Sequence, residues 1–118
     1  MLTVELIDLL MAKRCDIAAD LAPVGHVKRW IVVCPFQIDP LTGMSTISHP
    51  TANWFYRVRC FGLPEEFDQD NYDVHEEDLI NYENVVVSSL EEVESVLSQW
   101  IDKNTEFKEG RLSTCPLC

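Results

Sequence analysis

The sequence predicts an α+β domain, a small antiparallel sheet with N- and C-terminal helices packed on one face. Three observations carry this reading. Residues Val27–Cys34 and Thr51–Phe61 alternate as strands do, and the loop between them is too short to hold a crossover helix, so they pair antiparallel. Leu6, Ile7, Leu10 and Met11 form one stripe at helical spacing near the start of the chain. Leu90, Val93, Val96, Leu97, Trp100 and Ile101 form a second stripe near its end.

The first helix is capped by Thr3, with Glu5 in its first turn, where a negative charge meets the positive end of the helix dipole. Its stripe either fades near Arg14 or continues through Ile17, Ala18 and Leu21, and Pro23 with Gly25 closes the region. The strand Val27–Cys34 is apolar on both faces at its end, which places it centrally, and Pro35 limits further pairing. Asp39 to Pro50 reads as a hairpin connection with Pro40 and Gly43 at its turns, and Met44–Ile47 adds a little strand. In Thr51–Phe61, Ala52, Trp54, Tyr56, Val58 and Cys60 take one face, and Asn53, Phe55, Arg57, Arg59 and Phe61 the other. Gly62 and Pro64 end that strand. Val85–Val87 is a short strand leading into the last helix, where Ser88 and Ser89 each stand three residues before a Glu and either can open a capping box. Trp100 completes the apolar face of that helix and is expected in the core.

At 118 residues the chain is one domain, 1–118, with 104–118 expected as a loosely packed tail. Hydrophobic residues make up 47% and charged residues 25%, which excludes a wholly disordered or low-complexity protein. The charge is unusual in amount and in placement. The net is −11, yet residues 1–59 hold six basic and five acidic residues, whereas residues 60–118 hold three basic and fifteen acidic. Between Cys60 and Asp102 there is no Lys or Arg at all. A field of one sign over half a small domain speeds encounter with a cationic partner and repels nucleic acid and anionic lipid.

The densest part is Glu65–Glu83, with nine acids in nineteen residues. It also carries Phe67, Tyr72, Val74, Leu79, Ile80 and Tyr82, anchors that a disordered acidic tail would lack. An ordered excursion with a helical turn near Glu76–Leu79 is therefore expected. The start of the chain has no basic region before its apolar run, and no stretch approaches the roughly 20 apolar residues of a spanning helix, so a cytoplasmic protein is expected.

No motif carries chemistry. The five cysteines, Cys15, Cys34, Cys60, Cys115 and Cys118, are expected as reduced thiols. Cys115-Pro-Leu-Cys118 is half of a zinc site or a redox pair, but no second Cys-x-x-Cys exists, and the terminal carboxylate beside Cys118 raises its thiol pKa. Asp68-x-Asp70 begins like a calcium loop, yet Asp73 replaces the turn glycine and Leu79 the bidentate Glu. His26, His49 and His75 are scattered, and no glycine loop for phosphate is present. Arg57 and Arg59 share a strand face with Phe55 and Phe61, an arrangement that can bind nucleic acid, but the overall field opposes it. The expectation is no cofactor and no enzyme activity.

The strand Asn84-Val85-Val86-Val87 running into Ser88-Ser89-Leu90-Glu91-Glu92-Val93, and on to Leu97 and Trp100, resembles the small acidic immunity proteins of bacterial toxin systems. The resemblance implies a cytosolic inhibitor, or antitoxin, that neutralises a toxin domain by covering its active site or an adjacent surface. On this reading Asp68, Asp70, Tyr72, Asp73, Glu76, Glu77 and Asp78 form the partner-binding surface for a basic toxin or nuclease, mimicking the phosphates such an enzyme binds. Phe67, Tyr72 and Tyr82 would supply buried anchors. Two alternatives remain at this point, a small zinc-binding adaptor using Cys115 and Cys118, and an uncharacterised enzyme.

Overall fold

The computed structural model of the chain describes residues 2–69, 72–101 and 105–117. In chain order its elements are α1 (Val4–Met11), β1 (Ile17–Val24), β2 (Val27–Ile38), β3 (Ser45–Thr46), β4 (Trp54–Pro64), β5 (Ile80–Val87), α2 (Leu90–Trp100) and β6 (Lys108–Glu109). Short 3-10 turns lie at Glu76–Asp78 and Gly110–Leu112. All strands join one antiparallel sheet in the order β5-β4-β2-β1-β6, with β3 paired to β2. The chain is therefore α+β.

Both helices start as their side chains dictate. The Thr3 hydroxyl accepts from the Leu6 N–H at 3.3 Å, and the Ser89 hydroxyl accepts from the Glu92 N–H at 3.2 Å. α1 stops at Met11, and Arg14, with φ of +52°, turns the chain out of the helical path. The helix thus does not continue through Ile17, Ala18 and Leu21. Those residues form β1, because Ile17 and Ala19 fit one apolar layer while Ala18 fits the other. Their Ala- and Leu-rich composition suits a helix, and burial against β2 overrides it. β1 and β2 are joined through Gly25 and His26, with Gly25 at φ +60°, a conformation that a two-residue hairpin turn requires and glycine adopts without strain.

β2 and β4 form the longest ladder, from Val27 opposite Pro64 to Gln37 opposite Trp54. Pro35 lies inside β2 rather than ending it. β1 pairs with β2 only as far as Val33, so at Pro35 that side of the strand needs no N–H. Beyond it, buried Gln37 ties the long loop to the sheet. Its Nε2 donates to the carbonyls of His49 and Ala52, both at 2.8 Å, and its Oε1 accepts from the His49 N–H at 2.9 Å.

Side chains alternate between two apolar clusters. One joins Ile17, Ala19, Ile31, Val33, Val58 and Cys60 of the sheet to Leu6 and Leu10 of α1 and Val93 and Leu97 of α2. The other holds Ala18, Trp30, Val32, Phe61 and Leu63 with Cys115 from the C-terminal segment, and Phe67, Val74, Leu79 and Tyr82 of the acidic excursion pack on it. The expected loose tail is therefore corrected over its described part. Residues Lys108–Glu109 pair with β1, Cys115 is buried, and the Trp30 indole N–H donates to the Thr114 hydroxyl at 3.2 Å. The reason is the apolar second side of the sheet, which needs a cover that no helix of the second cluster provides.

Trp100 is half-buried at the margin of the first cluster, whereas Val93 and Leu97 have no exposed surface. Chemical denaturation should therefore show Leu97→Ala losing about 2–5 kcal/mol, with Trp100→Ala losing less; the reverse order would mean that the α2 face is packed differently.

Candidate functional site

The acidic excursion leaves β4 at Pro64 and re-enters the sheet at Ile80. Its path is set by local bonds. The Phe67 N–H donates to the Pro64 carbonyl at 3.0 Å, and the Tyr72 N–H to the Asp68 carbonyl at 3.1 Å. The Asp78 carboxylate accepts from the His75 N–H at 2.9 Å while the Asp78 N–H returns a bond to the His75 carbonyl. That exchange closes the turn expected near Glu76–Leu79. Phe67, Val74, Leu79 and Tyr82 face the second cluster, while Asp68, Asp73, Glu76 and Glu77 between them are exposed.

The predicted partner-binding residues separate into distinct positions. Asp68, Asp73, Glu76 and Glu77 are exposed, and Asp78 is half-buried by its turn. Asp73, Glu76 and Glu77 form no ion pair among the described residues. Tyr72 is 69% exposed, an aromatic ring in water between acids. Asp70 lies outside the described residues. Phe67 and Tyr82, expected as partner anchors, are half-buried against the protein's own core, whereas Tyr72 stands exposed. Glu65 meets His26 at 3.1 Å on the surface, a pair that is charged only when the imidazole is protonated.

The arginines of β4 turn inward. The Arg57 guanidinium carbon lies 4.8 Å from the centre of the Phe36 ring, and Arg59 Nη2 donates to Cys34 Sγ at 3.3 Å. The Nε atoms of both arginines are buried without a hydrogen-bond partner among the described residues. Arg14 of the α1–β1 connection likewise stacks on Trp54 at 3.9 Å. Arg14 and Arg57 thus lie on aromatic rings and Arg59 on a thiol, rather than forming an open platform for nucleic acid.

Cys115 is buried against Trp30 and Ala18, which gives it a packing role, and its N–H donates to the Ser113 hydroxyl at 3.0 Å. Cys118 lies outside the described residues. No group of three or more ligating side chains converges among the described residues. Among the same residues no helix is long and apolar enough to cross a membrane.

Two features escaped the sequence reading. One is a cavity of about 380 Å³ where β2, β4 and β5 meet the end of α2, walled by Arg29, Cys60, Glu83 and Trp100, with Gly62 among its lining residues. Arg29 reaches Cys60 Sγ at 3.9 Å and the Ala22 carbonyl at 3.5 Å, both long contacts. The other is the open outer side of β5. Neither has a local signal, because each is made by strands distant in sequence.

Comparison of the chain with protein-family models, with curated proteins and with solved structures found no match.

Burial pushes the Cys34 thiol up, the Asp16 carboxylate adds to the rise, and the Arg59 guanidinium opposes it only in part; the thiol reaches about 12 from an ordinary 9.0. With the folded value above the unfolded one, Cys34 contributes stability that is full below about 9 and lost as pH rises through about 12. Denaturation measured across that range should show a shallower alkaline decline in Cys34→Ser, which does not titrate there. Equal slopes in the two proteins would mean that Cys34 ionises as freely folded as unfolded.

Proposed function

We propose that this chain is a non-enzymatic, immunity-type inhibitor that docks a basic protein, a toxin or nuclease, through its acidic excursion. The observation that carries the reading is the contrast within residues 65–83. Four apolar side chains hold the segment against the sheet, while Asp73, Glu76 and Glu77 stand exposed with no ion pair among the described residues. Carboxylates held this way oppose Lys and Arg that would otherwise bind phosphates. The arrangement is pre-organised, so binding need not order a loose chain.

In this reading α1 and α2 lie over one face of the sheet, as their shared cluster supports, and the excursion lies over the other. Acids at the rim steer encounter, and Tyr72 is the exposed ring available to anchor it. The site of action is the cytoplasm, where a producing cell must meet its own toxin. The carboxylates act on association rate more than on dissociation.

The test takes as partner a basic toxin or nuclease, sought first among proteins encoded next to this chain, and follows association by stopped flow. Replacing Glu76, Glu77 and Asp78 together by amides should slow association about tenfold at low salt. The deficit should shrink as the screening length falls from roughly 30 Å at 0.01 M to about 10 Å at 0.1 M. If wild type and triple amide associate equally fast at low salt, the excursion is only a solvated surface and the reading fails.

A further inference from the structure

The two edges of the sheet differ. β6 is two residues long, whereas β5 runs eight residues and, among the described residues, pairs with β4 alone. The alternation of ladder bonds shows which groups its outer side presents. The His26 carbonyl accepts from the Glu65 N–H at 2.7 Å, one step beyond the pair Val27 and Pro64. Even residues of β2 and odd residues of β4 therefore bond each other. Pro35 and Pro64, which have no N–H to give, both fall at the places where this ladder needs none. Even residues of β4 then bond β5, so Val58 exchanges bonds with Val85 and Cys60 with Glu83. Asn84 and Val86 are left with N–H and C=O aimed outward, and among the described residues no further strand, loop or side chain bonds them.

Natural edges of this length are blunted by Lys, by Pro or by a bulge. β5 has neither Lys nor Pro. Its bulge, with Asn81 at φ +53°, kinks only the first part, and pairing is regular from Glu83 to Val87. Val86 is 48% exposed beside the unpaired groups. Charge selects what can lie there. Glu83 is on the strand, Glu76 and Glu77 precede it, and Glu91 and Glu92 follow, all exposed, in a stretch without Lys or Arg. A second copy would set this charge against itself, whereas a segment carrying Lys or Arg matches it.

We propose that the β5 edge from Glu83 to Val87 is where an extended, lysine- or arginine-bearing segment of the partner adds as a further strand. This rests on the reading of the excursion as the surface that attracts a basic partner, and it names how that partner is held. Main-chain bonds to Asn84 and Val86 give affinity, Val86 packs an alternate apolar side chain, and the neighbouring acids meet the cationic ones.

The probe is a short capped peptide in which lysine alternates with valine, beside a copy N-methylated at every backbone nitrogen. The copy has the same charge and has no N–H with which to pair along either side. Binding is followed by isotope-edited NMR at about 0.01 M salt. The plain peptide should bind about tenfold more tightly than its methylated copy. It should also slow exchange of the Asn84 and Val86 amides, and Val86→Pro should abolish the difference. Val86→Pro removes an outward donor and leaves the β4 ladder intact, and an unchanged spectrum in the rest of the sheet confirms that the variant folds. Equal binding of both peptides overturns the edge proposal and leaves the acidic-surface reading standing. Absence of binding by either peptide overturns both. Dimerisation through β5 at high salt, detected by light scattering and abolished by Val86→Pro, overturns the choice of occupant.

Discussion

The sheet has apolar residues on both sides, and both sides must be kept from water. Ile31, Val33 and Val58 lie in one cluster and Trp30, Val32 and Phe61 in the other, alternating along the same two strands. The two helices supply Leu6, Leu10, Val93 and Leu97 to the first cluster. The second is closed by irregular chain, the acidic excursion and the C-terminal segment. Irregular chain over a sheet must satisfy its own polar groups, and the bonds between His75 and Asp78 and between Trp30 and Thr114 do so. The need to cover that second side is what gives the most charged part of the protein a fixed shape.

That constraint also decides the electrostatics. A carboxylate-rich segment in a flexible tail would average over many arrangements and lose entropy on binding. Here Phe67, Val74, Leu79 and Tyr82 pack on the core, and Asp73, Glu76 and Glu77 are held out in solvent. Of the cations nearest in the fold, Arg57 stacks on Phe36 and Arg59 bonds Cys34. The stretch between Cys60 and Asp102 carries no Lys or Arg of its own, so its charge is of one sign.

Order of the excursion and openness of β5 belong together. The excursion ends where β5 begins, so the surface proposed to attract a basic chain adjoins an edge whose Asn84 and Val86 backbone groups bond nothing among the described residues. Main-chain pairing is indifferent to sequence, and in the proposed arrangement the surrounding acids are what would restrict it to cationic partners.

Much of this was legible in the residues. The Ser89 cap and the Leu90–Trp100 periodicity mark α2, the alternation of Trp54–Phe61 marks β4, and the anchors Phe67, Val74, Leu79 and Tyr82 mark an ordered excursion. These are local patterns, in which each side chain's preference agrees with its neighbours. Ile17–Val24 is ambiguous because its three alanines and Leu21 fit either a helix or a strand, and the adjacent β2 decides between them. Lys108–Glu109 carries no strand pattern and exists as a strand only through β1. Which aromatics turn inward, which backbone groups of β5 remain open, and where Arg29 and Glu83 share a cavity all depend on register between distant segments. The charge asymmetry, and the elements whose period is written in their side chains, follow from the residues alone. The remaining features arise on folding, because pairing is a relation between two strands and cannot be read from either one alone.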